Sequence, residues 1–141
     1  MSEAARGRPS QRSARLSGEA GVTSTEVAIV MPTVLVLIML IFQVGLFWHA
    51  KQSADVAAEE AVEAAQLADA TEQDGVVGAE AILNQAGNLR DARISVDRNA
   101  ATGTVTVTVS GAAPAIVPFG SWRVEAQAQG SIERFIPAGE R

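Results

Sequence analysis

The chain has 141 residues, enough for one modest domain with accessory segments, and a formal net charge of −5. It contains no cysteine, which excludes disulfides, thiolate nucleophiles and cysteine-bound metals. The acidic excess lies in residues 22–141, and it argues against general nucleic-acid binding, which positive groups dominate.

Residues 1–21 are the basic exception, with Arg6, Arg8, Arg12 and Arg15 against Glu3 and Glu19. Residues 1–18 are rich in Arg, Ser, Gly and Pro, show no apolar periodicity and read as a disordered leader. From Val27 to Trp48 there is no charged residue. At 1.5 Å per residue this run makes a helix of roughly 33 Å, enough to cross a hydrocarbon core of about 30 Å. A cleavable secretory signal has an apolar region of only about 7–15 residues, so the run reads as an uncleaved anchor. The leading arginines place the N-terminus in the cytoplasm and the rest outside. Trp48 and His49 then fall near the outer interface, where Lys51 can snorkel.

Residues 50–70, "AKQSADVAAEEAVEAAQLADA", contain no Gly or Pro and continue the helical signal. Ala50, Ala54, Ala57, Ala61, Ala64 and Ala68 recur every three or four residues and form a stripe of small side chains. Either the stripe is a close-packing face, or it reflects only alanine's high helix propensity. One helix is expected from about Ser24 to about Ala70. The two glycines in 75–78 are expected to break it, and "VGAEAILNQAGN" to form a second, short helix ending at Gly87.

The period then changes to two. Ala92, Ile94 and Val96 alternate with polar residues, as do Val105, Val107 and Val109, and "RNAATG" between them is turn-like, which predicts a hairpin. "APAIVPFG" is a loop, because its prolines break ladder bonding. Val124, Ala126 and Ala128 mark a third strand. The valine-rich strand is expected to be an open edge able to accept another subunit's strand. The predicted class is α+β, with about three antiparallel strands. Its segments are a leader (1–21), a transmembrane helix (22–49), a helical extension (50–71) and a small extracytoplasmic domain (72–141).

Enzyme chemistry finds no support. The lone His49 sits at the membrane boundary, and no phosphate loop, HExxH or GxSxG motif is present. Glu59, Glu60 and Glu63 read as a solvated helix face rather than a metal site. No catalytic residue, cofactor or metal is assigned.

The informative stretch is "EAGVTSTEVAIVMPTV", residues 19–34. Thr23 and Glu26 fit a capping box, and a first-turn carboxylate complements the helix dipole by about 0.3–1 kcal/mol. Capping accounts for Glu26 but not for Gly21. A protease cut after Gly21 accounts for both, since glycine offers a backbone a peptidase can approach closely. The new amine of Val22 on one chain could then pair with Glu26 of a neighbour, setting subunit register in an apolar bundle. Pro32 cannot donate to the carbonyl of Ala28 and should kink or soften the helix.

At these residues the chain resembles type IV prepilins: Gly21-Val-Thr-Ser-Thr-Glu26 matches the pattern in which prepilin peptidase cuts after Gly and Glu becomes the fifth mature residue. The run "TEVAIVMPTVLVLIMLIFQVG", with Glu26, Ala28 and Pro32, resembles the TadE-like pseudopilins of the Tad (Flp) pilus. The resemblance is specific over residues 18–48. It implies a single-pass inner-membrane precursor cut between Gly21 and Val22, with Glu26 serving assembly. The implied partners are prepilin peptidase, other pilins and the Tad assembly membrane proteins. The major Flp pilin usually has an aromatic after the Glu and little beyond the helix. Val27 and a sizeable domain here imply a minor pilin or assembly component rather than the main filament subunit. The alternative is a plain single-pass anchor displaying an extracytoplasmic binding or scaffold domain.

Overall fold

The structure, a computed structural model, describes residues 16–133, with side chains from residue 24 onward. The leader expectation for residues 1–15 lies outside the described residues. The elements are α1 (Leu16–Gln66), α2 (Glu72–Ala86), β1 (Arg90–Asn99), β2 (Thr104–Ala112) and β3 (Arg123–Ser131), an α+β arrangement as predicted. The chain divides into two units, Met1–Ile38 and Met39–Arg141.

In the first unit, α1 starts at Leu16, upstream of the expected Ser24. Leu16, Glu19 and Ala20 are good helix formers, and extending an existing helix by a turn avoids a new nucleation step. Every described side chain from Ser24 to Ile38 is exposed. A helix apolar on all sides and unburied by its own chain has the character of a membrane span rather than a surface helix.

The second unit is built on the alanine stripe. Ala50, Ala54, Ala57 and Ala61 are fully buried, as the close-packing reading expects. Ala64 is only half-buried and Ala68 is exposed; Ala58, Val62 and Ala65 take their places in the core. The helix ends at Gln66 rather than near Ala70, so Ala68 lies beyond it. The carbonyls at its end and just past it are met by β1 and by the residues after β3. The Arg98 guanidinium donates to the carbonyls of Ala65, Leu67 and Ala68 at 3.1–3.2 Å, and the Glu133 amide donates to that of Gln66 at 2.8 Å. These bonds satisfy acceptors that a helix end leaves without partners.

The glycines at 75 and 78 do not break the chain; they lie inside α2. A Cβ at Gly75 would come within 3.0–3.2 Å of the Ala61 carbonyl, Ala65 Cβ and Val96 Cγ2, and one at Gly78 within 3.3 Å of Ala64 Cβ. Their role is close approach of α2 to α1, which two large side chains would forbid. The break falls earlier, at residues 67–71, where Thr71 caps α2. Thr71 and Asp74 form a reciprocal capping box: the Thr71 amide donates to Asp74 Oδ2 at 2.7 Å, and the Asp74 amide donates to Thr71 Oγ1 at 3.4 Å. Gly87 ends α2 in a left-handed conformation (φ 61°), as expected from sequence.

The bond from the Thr71 backbone, aided by the Thr71 hydroxyl, holds the Asp74 carboxyl below its ordinary value of 3.8. A carboxyl whose folded pKa is depressed contributes stability above its unfolded pKa and loses it as pH falls through the folded one. The start of α2 should therefore loosen only below about pH 4, the reference carboxylate range. Amide exchange at residues 71–75, followed from pH 6 to pH 3, checks this, and Asp74→Asn should remove the pH dependence.

The sheet is an antiparallel meander in the order β1-β2-β3. The predicted hairpin is present, with Asn99 Oδ1 accepting from the amides of Ala101 and Thr102 to close its turn. The expectation that Val105–Val109 form an open edge is overturned. β2 is the central strand, with Val107 opposite Val96 on one side and Ala128 on the other. A strand whose one face is all valine gains most where both neighbours exclude water. Val105, Val107 and Val109 are fully buried and join the α1 alanines, Ala79, Val124 and Ala126 in one core.

Candidate assembly site on the anchor helix

Gly21 and Val22 lie within the α1 backbone, and Glu26 stands exposed one turn further along. Residues four apart share a helix face and are separated by about 6 Å along the axis. Because α1 begins at Leu16, Thr23 is not a helix N-cap and Glu26 lies well beyond the first turn. The capping box expected at Thr23 and Glu26 therefore does not form in the uncut chain, and the dipole term, confined to the first turn, does not act on Glu26. Glu26 is thus a carboxylate at the head of a charge-free run with no structural duty to its own helix end.

Pro32 is accommodated within a continuous α1. It offers no amide to the Ala28 carbonyl. The neighbouring Thr33 hydroxyl donates to the Ile29 carbonyl at 3.2 Å, giving this part of the helix a side-chain bond. The remaining acidic candidates, Glu59, Glu60 and Glu63, are exposed. Among the described residues, no group of three or more His, Asp or Glu could hold a metal ion.

In the second unit, sequence reasoning missed two residues. One is Arg98, an inward-facing charge in an alternating strand. The other is Gln43, fully buried although it lies in the apolar run. Its Nε2 donates to the Pro114 carbonyl at 3.0 Å, and its Oε1 accepts from the amides of Ile116 at 2.8 Å and Val117 at 3.4 Å. The available signal was a lone amide among aliphatics, the residue type that needs a partner when water is absent.

Fold and site together define a class: a protein with, among the described residues, one helix of membrane-anchor length and apolarity near the N-terminus, and a small α+β domain. Residues 21–63, under half of the chain, match the family model described as TadE-like protein, so this segment is similar to TadE-like proteins. The match stops before α2 and the sheet. No curated protein and no solved structure matches the chain.

Proposed function

We propose that this chain is a minor pilin of a Tad (Flp) type IV pilus, made as a precursor that prepilin peptidase cuts between Gly21 and Val22. The observation that carries the reading is the spacing from Gly21 to Glu26 at the head of an exposed, charge-free helix, within a TadE-like match that begins at residue 21. Removal of the leader leaves Val22 with a free amine. The amine of one subunit then meets the Glu26 carboxylate of the next inside the helix bundle, and the pair fixes their axial stagger. Pro32 softens the helix so that it can leave the bilayer during assembly. The N-terminus faces the cytoplasm, and the domain faces outward. Other pilins and Tad membrane proteins are its partners.

The continuity of α1 through Gly21 favours the second reading, an uncut anchor displaying a scaffold domain, because a peptidase needs extended backbone. That obstacle is small. Gly18 and Gly21 each weaken a helix by about 1 kcal/mol relative to Ala, so local opening at the cut costs little. N-terminal sequencing of the membrane form from the native host separates the readings. A start at Val22 is expected; an intact Met1, or a start between Ala50 and Asp55, overturns the proposal.

A further inference from the structure

The loop between β2 and β3 is fastened to the anchor helix rather than to the sheet alone. Gln43 holds Pro114, Ile116 and Val117 through the three bonds described above. The Ala113 amide donates to the Trp122 carbonyl at 2.8 Å, and the Trp122 ring packs against Phe47 with centroids 6.2 Å apart. The loop is thus held beside α1 residues 43–47, all within the uncharged run.

Its chemistry is unusual for a loop of a soluble domain. Residues 111–122, "GAAPAIVPFGSW", contain no charge. Ile116 is 49% exposed and Phe119 59%, beside a helix stretch on which Ile41 is 72% and Phe42 63% exposed. Over residues 113–119 five of the seven backbone positions offer no free donor, Ala115 and Phe119 being the exceptions. Pro114 and Pro118 have no amide hydrogen, and the amides of Ala113, Ile116 and Val117 are all bonded internally. Irregular backbone enters the hydrocarbon core only when protein satisfies its polar groups, so this loop is suited to the acyl boundary, where its remaining amides and carbonyls reach water and headgroups. Around its base, Arg90, Arg93 and Arg123 line a shallow cleft together with Asp91 and Trp122. Three arginines against the one carboxylate of Asp91 leave the cleft net positive, and among the described residues none of the three is held in an ion pair, a charge suited to phosphate headgroups.

We propose that the 113–119 loop is a second membrane-seating element, with Ile116 and Phe119 in the acyl boundary of the leaflet beside the domain and the arginines at headgroup level. The occupant is lipid rather than protein because, within the second unit, the patch lies beside the exposed Ile41 and Phe42 of the uncharged run and is rimmed by cations. The inference rests on α1 being a membrane anchor. It adds that the domain sits down on the bilayer at Gln43 instead of standing clear beyond Trp48.

The chain lacks cysteine, so single labels are clean. Full-length Phe119→Cys, carrying an environment-sensitive fluorophore, is placed in nanodiscs of phosphatidylcholine and phosphatidylglycerol. Quenching by brominated acyl chains is compared with quenching by aqueous iodide. Leu35→Cys reports the anchor and Gln127→Cys the outer sheet face. Lipid quenching at 119 should approach that at 35 and exceed that at 127 several-fold, and Ile116→Cys should behave alike if the label at 119 disturbs the loop. Lipid quenching at 35 with iodide quenching at both loop positions overturns the seating while leaving the anchor intact. Iodide quenching at 35 overturns both. Protection of both loop positions from both quenchers means that protein covers the loop, and it overturns the proposal too.

Discussion

Glu26→Gln should leave the chain inserted in the membrane at normal levels and remove it from assembled pili. The substitution keeps shape and polarity and deletes one charge. In a plain anchor that charge has little to lose, because in the uncut chain Glu26 lies beyond the first turn of α1 and outside the reach of the helix dipole. In an assembly of apolar helices the same deletion leaves a neighbour's ammonium buried without its partner, a loss of about 3–5 kcal/mol. At about 1.4 kcal/mol per decade, that is a hundred- to several-thousand-fold drop in the equilibrium for adding a subunit. Membrane fractionation paired with quantification of the chain in sheared pili measures both quantities. Parallel loss from membrane and pili would indicate a folding defect, and normal pilus content would mean that Glu26 serves no intersubunit pair. Glu26→Asp, which keeps the charge on a shorter arm, should fall between the two.

The parts of this fold that could be read from sequence are those with strong local periodicity. The uncharged run, the alternating strands and Gly87 as a stop each follow from residues within a few positions of one another. The errors share a different cause. Gly75 and Gly78 look like breakers, since a helix alone gains nothing from them; their value appears only when α1 lies alongside and a Cβ would strike the Ala61 carbonyl. The valine strand looks like an edge because pairing on both sides is a property of strand order, not of the strand. The side chains of Arg98 and Gln43 find their partners thirty or more residues away, and no local pattern announces such a bond. At the candidate assembly site, residue identity and spacing are given by the sequence, and their role in assembly is what Glu26→Gln tests. The helical state of Gly21 could not be read in advance, because it depends on how far α1 propagates upstream.

Ala61→Leu is expected to have the largest effect on the domain's stability. Ala61 is fully buried in the core shared by α1, α2 and the sheet, and its carbonyl already lies where a Cβ on Gly75 would approach to 3.0 Å. The neighbours on this face are alanines and valines with few rotamers to yield, so three added carbons must push α1 away from its partners. Overpacking of this kind costs about 1–3 kcal/mol, and this site belongs at the upper end. For a domain of this size each kcal/mol lowers the melting temperature by roughly 4–8 °C, so a fall of more than about 10 °C is expected. The control is Ala81→Leu on the exposed side of α2, which makes the same chemical change and should stay within about 0.5 kcal/mol. Thermal unfolding of the full chain in detergent, followed through Trp122 fluorescence with Trp48→Phe in every variant, compares the two. Equal melting temperatures would mean that the alanine face is no tight interface and that its composition reflects helix propensity alone. A large difference would make small side chains on α1 and glycines on α2 two halves of one requirement, a helix pair close enough for a three-stranded sheet to cover.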